Sequence, residues 1–174
     1  MKKILLLMCI LIIAFVFVSC KSNDLAYENN TVTQDDSAPV FDSVNTDVDL
    51  ALIKDNIIKS VQIKDPIMVE TSRLKNLYGI EETSVKQSAC FVTMDGVFPA
   101  EIIMIEAKDS ANAEKIAELL ENRLNEVKIQ SQSYDPENYK LAQQCTVDIN
   151  GNYVTMFLTA EHREMKNIYN EFIK

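Results

Sequence analysis

The side chain most suited to covalent chemistry is the Cys20 thiol, which closes the run Phe17-Val18-Ser19-Cys20. A small residue ahead of the cysteine suits the peptidase that cleaves lipoprotein precursors, and the thiol can carry a diacylglyceryl group as a thioether. Phe17 stands where Leu, Val or Ile is more usual, which leaves ordinary secretion as the alternative. The other candidates are acids and phenols. Glu101 opens an otherwise apolar stretch, so its carboxylate must stay at a solvated end or find a cation, and Arg123 is the natural partner. Paired with Glu106 or Asp148, it could instead serve carboxylate catalysis, which demands two acids within about 5 to 10 Å in a cleft. Tyr134, Tyr139 and Tyr153 could form an aromatic recognition patch, although tyrosines flanking strands usually pack at the core margin.

Other arrangements point to structure rather than chemistry. His162 stands beside Glu161 at the start of the last helical stretch and is expected to be a surface histidine; no G-x-S-x-G or S-x-x-K pattern accompanies it. Gly79, Gly96 and Gly151 each suit a turn or cap, which leaves no glycine-rich loop to cradle phosphates. Asp148, Asn150 and Asn152 around Gly151 faintly echo a calcium loop, but the EF-hand pattern wants its glycine sixth and a bidentate Glu later. Neither Cys90 nor Cys145 belongs to a C-x-x-C pair, and His162 is far along the chain, so no metal site is expected. No cofactor is implied, and the chain is expected not to be an enzyme.

Cys20 is presented by a short leader. Lys2 and Lys3 supply a positive start, and the apolar run from Ile4 to Val18 has fifteen residues, fewer than the about 20 that a membrane-crossing helix needs. Residues 1–19 are therefore expected to be a lipoprotein signal peptide, and Cys20 the lipidated first residue of the mature chain. One acyl chain binds a membrane marginally, whereas the two or three on such a cysteine, palmitate among them, anchor it stably. Loss of Lys2 and Lys3 with the leader moves the net charge from −9 to −11. That acidity argues against a nucleic-acid partner and fits a solvated surface. Residues 20–47, rich in Asn, Asp, Ser and Thr, are expected to form a disordered acidic tether reaching about 30 Å. Export makes a Cys90–Cys145 disulfide permissible, and two buried core thiols are equally consistent with the sequence.

Residues 48–174 are enough for one core and too few for two. Leu50, Ile53, Ile57 and Val61 recur at helical spacing behind Asp47, a candidate cap, and predict a helix to about Ser60. A short helix through Leu74, Leu77 and Tyr78 should close at Gly79. Segments 88–94 and 100–107 flank Asp95-Gly96 and predict a hairpin, with the second strand apolar on both faces. Ala113, Ile116, Leu120, Leu124 and Val127 define the longest helix, and Asp135-Pro136 opens a short one. Val147 and Ile149, then Asn150-Gly151, then Tyr153, Val154, Met156 and Leu158 predict a second hairpin with a type I′ turn. Met165, Ile168, Tyr169 and Phe172 form the final helix. The order implies a single α+β domain: about four antiparallel strands in two hairpins, with helices packed on one face.

Leu77-Tyr78-Gly79-Ile80, the Ala100-Glu101-Ile102 run into an apolar strand, Arg123-Leu124 with Tyr134 and Pro136 after it, and Gly151-Asn152-Tyr153-Val154 recur in an order that resembles the domain-of-unknown-function family 4358. The resemblance covers about residues 48–160. It implies an uncharacterised lipoprotein of a Gram-positive envelope, on the extracytoplasmic face of the cell membrane, and brings no catalytic residues with it. The function expected is a membrane-anchored, non-catalytic binding module that recognises an envelope protein or a cell-wall component, with Glu101, Tyr134 and Tyr153 as candidate contacts. An envelope enzyme or enzyme accessory using carboxylates is the alternative.

Overall fold

The computed structural model describes residues 48–94 and 98–173. The leader, Cys20, the tether and the Asp95-Gly96 turn lie outside them. Asp49 caps the first helix, α1 (Leu50–Ser60), and Asp47, the cap candidate from sequence, lies outside the described residues: the Asp49 carboxylate accepts the backbone N–H groups of Ala51 and Leu52, two of the donors that a first helical turn leaves over. Beyond the helix Gln62 adopts a left-handed φ of 57°, which lets the Ile63 N–H bond back to the Ile58 carbonyl at 3.0 Å. A three-residue strand, β1 (Ile67–Val69), and a 3-10 turn (Thr71–Arg73) lead into α2 (Leu74–Tyr78). Gly79 at φ 74° ends α2, with Ile80 bonded back to Leu74.

Then follow β2 (Val85–Ser88), β3 (Cys90–Thr93), β4 (Ala100–Ala107), α3 (Ser110–Tyr134), α4 (Pro136–Gln144), β5 (Val147–Asn150), β6 (Tyr153–Leu158) and α5 (His162–Phe172). Asp109 and Asp135 cap α3 and α4 by accepting the N–H groups of Asn112 and Asn138, and Pro136 takes a first-turn place where its missing N–H is harmless.

The fold is α+β, as the element order implied, but its antiparallel sheet has six strands rather than four, in the order β1-β3-β4-β6-β5 with β2 also on β4. One extra strand is β1, an edge piece too short to show a period. The other arises because the strand expected over 88–94 starts earlier and is interrupted: β2 and β3 share one register against β4, with Ala89 between them still donating to the Met104 carbonyl. A bulge at Lys86 shifts that register and sets both Lys86 and Gln87 opposite Glu106.

Helices cover both faces, not one. Along β4, Ile103, Ile105 and Ala107 face α2, α3 and α4, where Leu74, Ile116, Leu120, Leu124 and Ala142 complete one core. Ile102 and Met104 point the other way, into a second core with Leu50, Ile53 and Ile57 of α1 and Met165 and Tyr169 of α5. A central strand apolar on both faces needs cover on both, so the second helical layer follows from β4 itself. The β5–β6 hairpin is present, one residue out of the expected turn: Asn150 pairs with Tyr153, so Gly151 and Asn152 are the central residues. Gly151 has a φ of 58° and Asn152 is not among the residues with positive φ, the pattern of a type II′ turn rather than I′. Cys90 and Cys145 are free and buried in the α3-side core.

Candidate functional site

On the α2–α3 face, the register sets Ile67 of β1 opposite Val92 of β3, and Val92 opposite Glu101 of β4, a row across three strands. Beside α2 this row is left partly open. The result is a groove of about 270 Å³, walled by Arg73, Leu77 and Tyr78 from the α2 segment, Met94 and Pro99 from the β3–β4 hairpin, and Arg123 from α3.

Glu101 lies at the inner end of the row and is 2 % exposed. A carboxylate so buried needs charged and hydrogen-bonded company. Arg123 provides it through Nε at 3.0 Å and Nη2 at 2.5 Å, both to Oε1, with Nε also 3.3 Å from Oε2. The pairing expected from sequence is therefore present. Hydrogen bonding to Glu101 raises the Arg123 pKa, against the opposing effect of its own burial. The Tyr78 phenol lies against the same carboxylate. Burial first, then the nearby charge of Glu101, raise the Tyr78 pKa well above its usual value, so this phenol stays protonated beside the carboxylate. The guanidinium of Arg123 thus holds the Glu101 carboxylate in place at the floor of the groove.

The other sequence candidates are not gathered here. Tyr153 pairs with Glu106 on the opposite face of the sheet, against the α1–α5 core. Tyr134 ends α3 and is 88 % exposed. Tyr139 lies in α4. Glu106, five residues along β4 from Glu101, also points to the α1 side; Lys86 Nζ and Gln87 Nε2 reach its carboxylate at 2.7 and 2.6 Å. The same Gln87 side chain donates to the Val48 carbonyl and accepts the Leu50 N–H. Glu106 thus joins the start of α1 to the sheet. Asp148 pairs with Lys166 of α5 at 2.9 Å. Glu101 therefore shares no cleft with either acid. His162 Nδ1 lies 3.0 Å from the Thr159 carbonyl; a carbonyl only accepts, so that nitrogen carries hydrogen and the ring serves the start of α5.

Tyr78, Arg73 and Ile67 are site residues that sequence reasoning missed. Tyr78 did carry a signal, an aromatic residue directly before a cap glycine, one turn of backbone from the sheet. Among the described residues no group of three or more His, Cys, Asp or Glu side chains could hold a metal ion, and no helix is long and apolar enough to cross a membrane.

A family model described as "Domain of unknown function (DUF4358)" matches residues 59–159. The span takes in the whole groove, all six strands and α2 to α4, and leaves out α5 and nearly all of α1. No curated protein and no solved structure matches the chain.

Proposed function

The chain belongs to the DUF4358 family, and we propose that it is a membrane-anchored extracytoplasmic lipoprotein whose folded part is a non-catalytic binding module of the cell envelope, with the groove over Glu101 as its binding site. One observation carries the binding reading: the groove has apolar walls and a polar floor whose acid is already committed to Arg123. Such a floor orients a ligand and has no base left over to react with it. The anchor rests on the leader: Lys2-Lys3, the apolar run to Val18, and Ser19-Cys20. On this reading, lipid on Cys20 and the tether over 21–47 hold the module off the outer leaflet of a Gram-positive cytoplasmic membrane, where an envelope protein or cell-wall component reaches the groove.

Intact-mass analysis of the chain from its native membrane tests the anchor. The expected species begins at Cys20 and carries diacylglyceryl mass; an unmodified thiol with the first nineteen residues attached overturns it. For the module, capture from envelope extract is compared between the wild-type chain and an Ile67→Asp/Leu77→Asp variant with an unchanged circular dichroism spectrum. Recovery of the same material by both removes the groove from the proposal.

A further inference from the structure

We propose that the ligand of this groove is an aliphatic carboxylate, its chain lying along Ile67, Val92, Leu77 and Met94 and its acid meeting Arg73 and the free edge of Arg123. This deepens the binding-module reading and rests on it. The walls argue for the chain. Ile67, Leu77 and Met94 are 52, 46 and 65 % exposed, yet all three line one concavity. Single exposed apolar residues are ordinary, whereas several converging on a groove mark a surface that something apolar covers. Methionine adds adaptability, since its unbranched thioether fits chains of varied shape.

The polar groups argue for the acid. Arg73 is exposed and has no hydrogen bond or ion pair from its side chain among the described residues. Arg123 spends Nε and Nη2 on Glu101, while its Nη1 has an exposed Glu126 carboxylate at 3.5 Å. A guanidinium has five N–H donors in a planar fork, so these contacts leave donors of Arg123 over, and Arg123 lines the groove. Among the described residues the lining holds two guanidinium groups and one carboxylate; with Arg123 shared between Glu101 and Glu126, the exposed Arg73 is the excess positive charge of the groove wall. A ligand ending in an amine would meet that excess unfavourably, and one ending in a hydroxyl would leave it uncompensated. A planar carboxylate matches the arginine fork in shape and in sign. At about 270 Å³ the groove is at the small end for ligand sites, which suits one chain with one head group rather than an oligosaccharide.

The test is photolabelling of the full chain with three probes of equal chain length, each bearing a diazirine: a carboxylate, a primary alcohol and a primary amine. Adducts are mapped by mass spectrometry. The carboxylate probe should label residues 67–78 and 92–94 at least about tenfold more than the amine probe, and Arg73→Gln should cut that labelling about tenfold, the scale of one charge-assisted hydrogen bond. Arg73→Lys should keep part of it. Equal labelling by carboxylate and amine, or labelling unchanged in Arg73→Gln, overturns the carboxylate assignment and leaves the groove as a site of other specificity. If no probe labels these residues above the level seen in the Ile67→Asp/Leu77→Asp variant, the groove itself is not a small-ligand site, and the assignment falls with it.

Discussion

Glu101 and Glu106 stand five residues apart on one strand, face opposite sides of the sheet, and are each stabilised by a different device. Glu101 is held by a guanidinium that keeps part of its surface open to the groove; Glu106 is held by the Lys86 ammonium and by an amide that also ties down a helix. Removing one partner of a buried pair leaves a charge without compensation, and this costs about 3–5 kcal/mol, while replacing both by apolar groups is close to neutral. Arg123→Met is therefore expected to lower the unfolding free energy by about 3–5 kcal/mol in a urea titration, and Glu101→Leu with Arg123→Met to return to within about 1 kcal/mol of wild type. Additive losses in the double variant would mean that the two side chains do not act as a pair. Gln87 tests the other device. Gln87→Ala leaves the Leu50 N–H and one Glu106 oxygen without their partner, and should cost about 1–3 kcal/mol in the same titration. The bulge that sets Gln87 opposite Glu106 has no mark in the sequence, because one extra residue in a strand changes register without changing composition. The Glu101–Arg123 pair was legible for the opposite reason: a carboxylate inside an apolar run is costly enough to demand a cation.

Helix ends can be tested directly because two of them rest on left-handed residues, one suited to that conformation and one not. Gly79 closes α2 at φ 74°, and a Cβ placed there would meet Leu119 Cδ2 at 3.5 Å, an ordinary contact. Gly79→Ala should therefore cost only the backbone strain, about 1 kcal/mol. Gln62 takes φ 57° after α1, so Gln62→Gly should gain about 0.5–1 kcal/mol. Thermal melts that move in opposite directions bear this out; a loss in Gln62→Gly would mean its side chain contributes more than its backbone costs. Elements with long periods were the legible ones. The spacing Ala113, Ile116, Leu120, Leu124 and Val127 fixes α3 as amphipathic, and Asp135-Pro136 opens α4 by its backbone chemistry alone. Three residues cannot show alternation, so β1 was missed, and with it the outer wall of the groove. Asn150-Gly151 announced a hairpin correctly and its register wrongly, since Gly151 serves a II′ turn as readily as I′ and only strand pairing decides between them.

Among the described residues, sheet and helices together form three layers, of which the matched family span supplies the sheet and one helical layer, while α1 and α5 close the other face. The burial this produces has a measurable consequence for alkaline stability. Burial pushes the Cys90 thiol up to about 12 from an ordinary 9, and raises Cys145 as well. The phenols of Tyr78 and Tyr169 are raised from 10, again chiefly by burial. In the unfolded chain these groups lose their protons near pH 9 and 10, whereas the folded chain keeps them, so above those values the unfolded state binds fewer protons. Each group's contribution to stability is then complete below its unfolded pKa and declines as pH rises, at up to about 1.4 kcal/mol per pH unit, until the pH passes that group's folded pKa. Unfolding free energy should therefore be insensitive to these four groups up to about pH 9 and fall steeply above it, with both thiols acting first and the phenols joining near pH 10. Cys90→Ala with Cys145→Ala removes the first pair and should move the onset of the fall upward by about one pH unit, at the cost of some packing at all pH values. Urea titrations at half-unit steps from pH 7 to 11 measure both effects. An onset unchanged in the double variant would mean that the thiols are not the groups whose protons the fold retains.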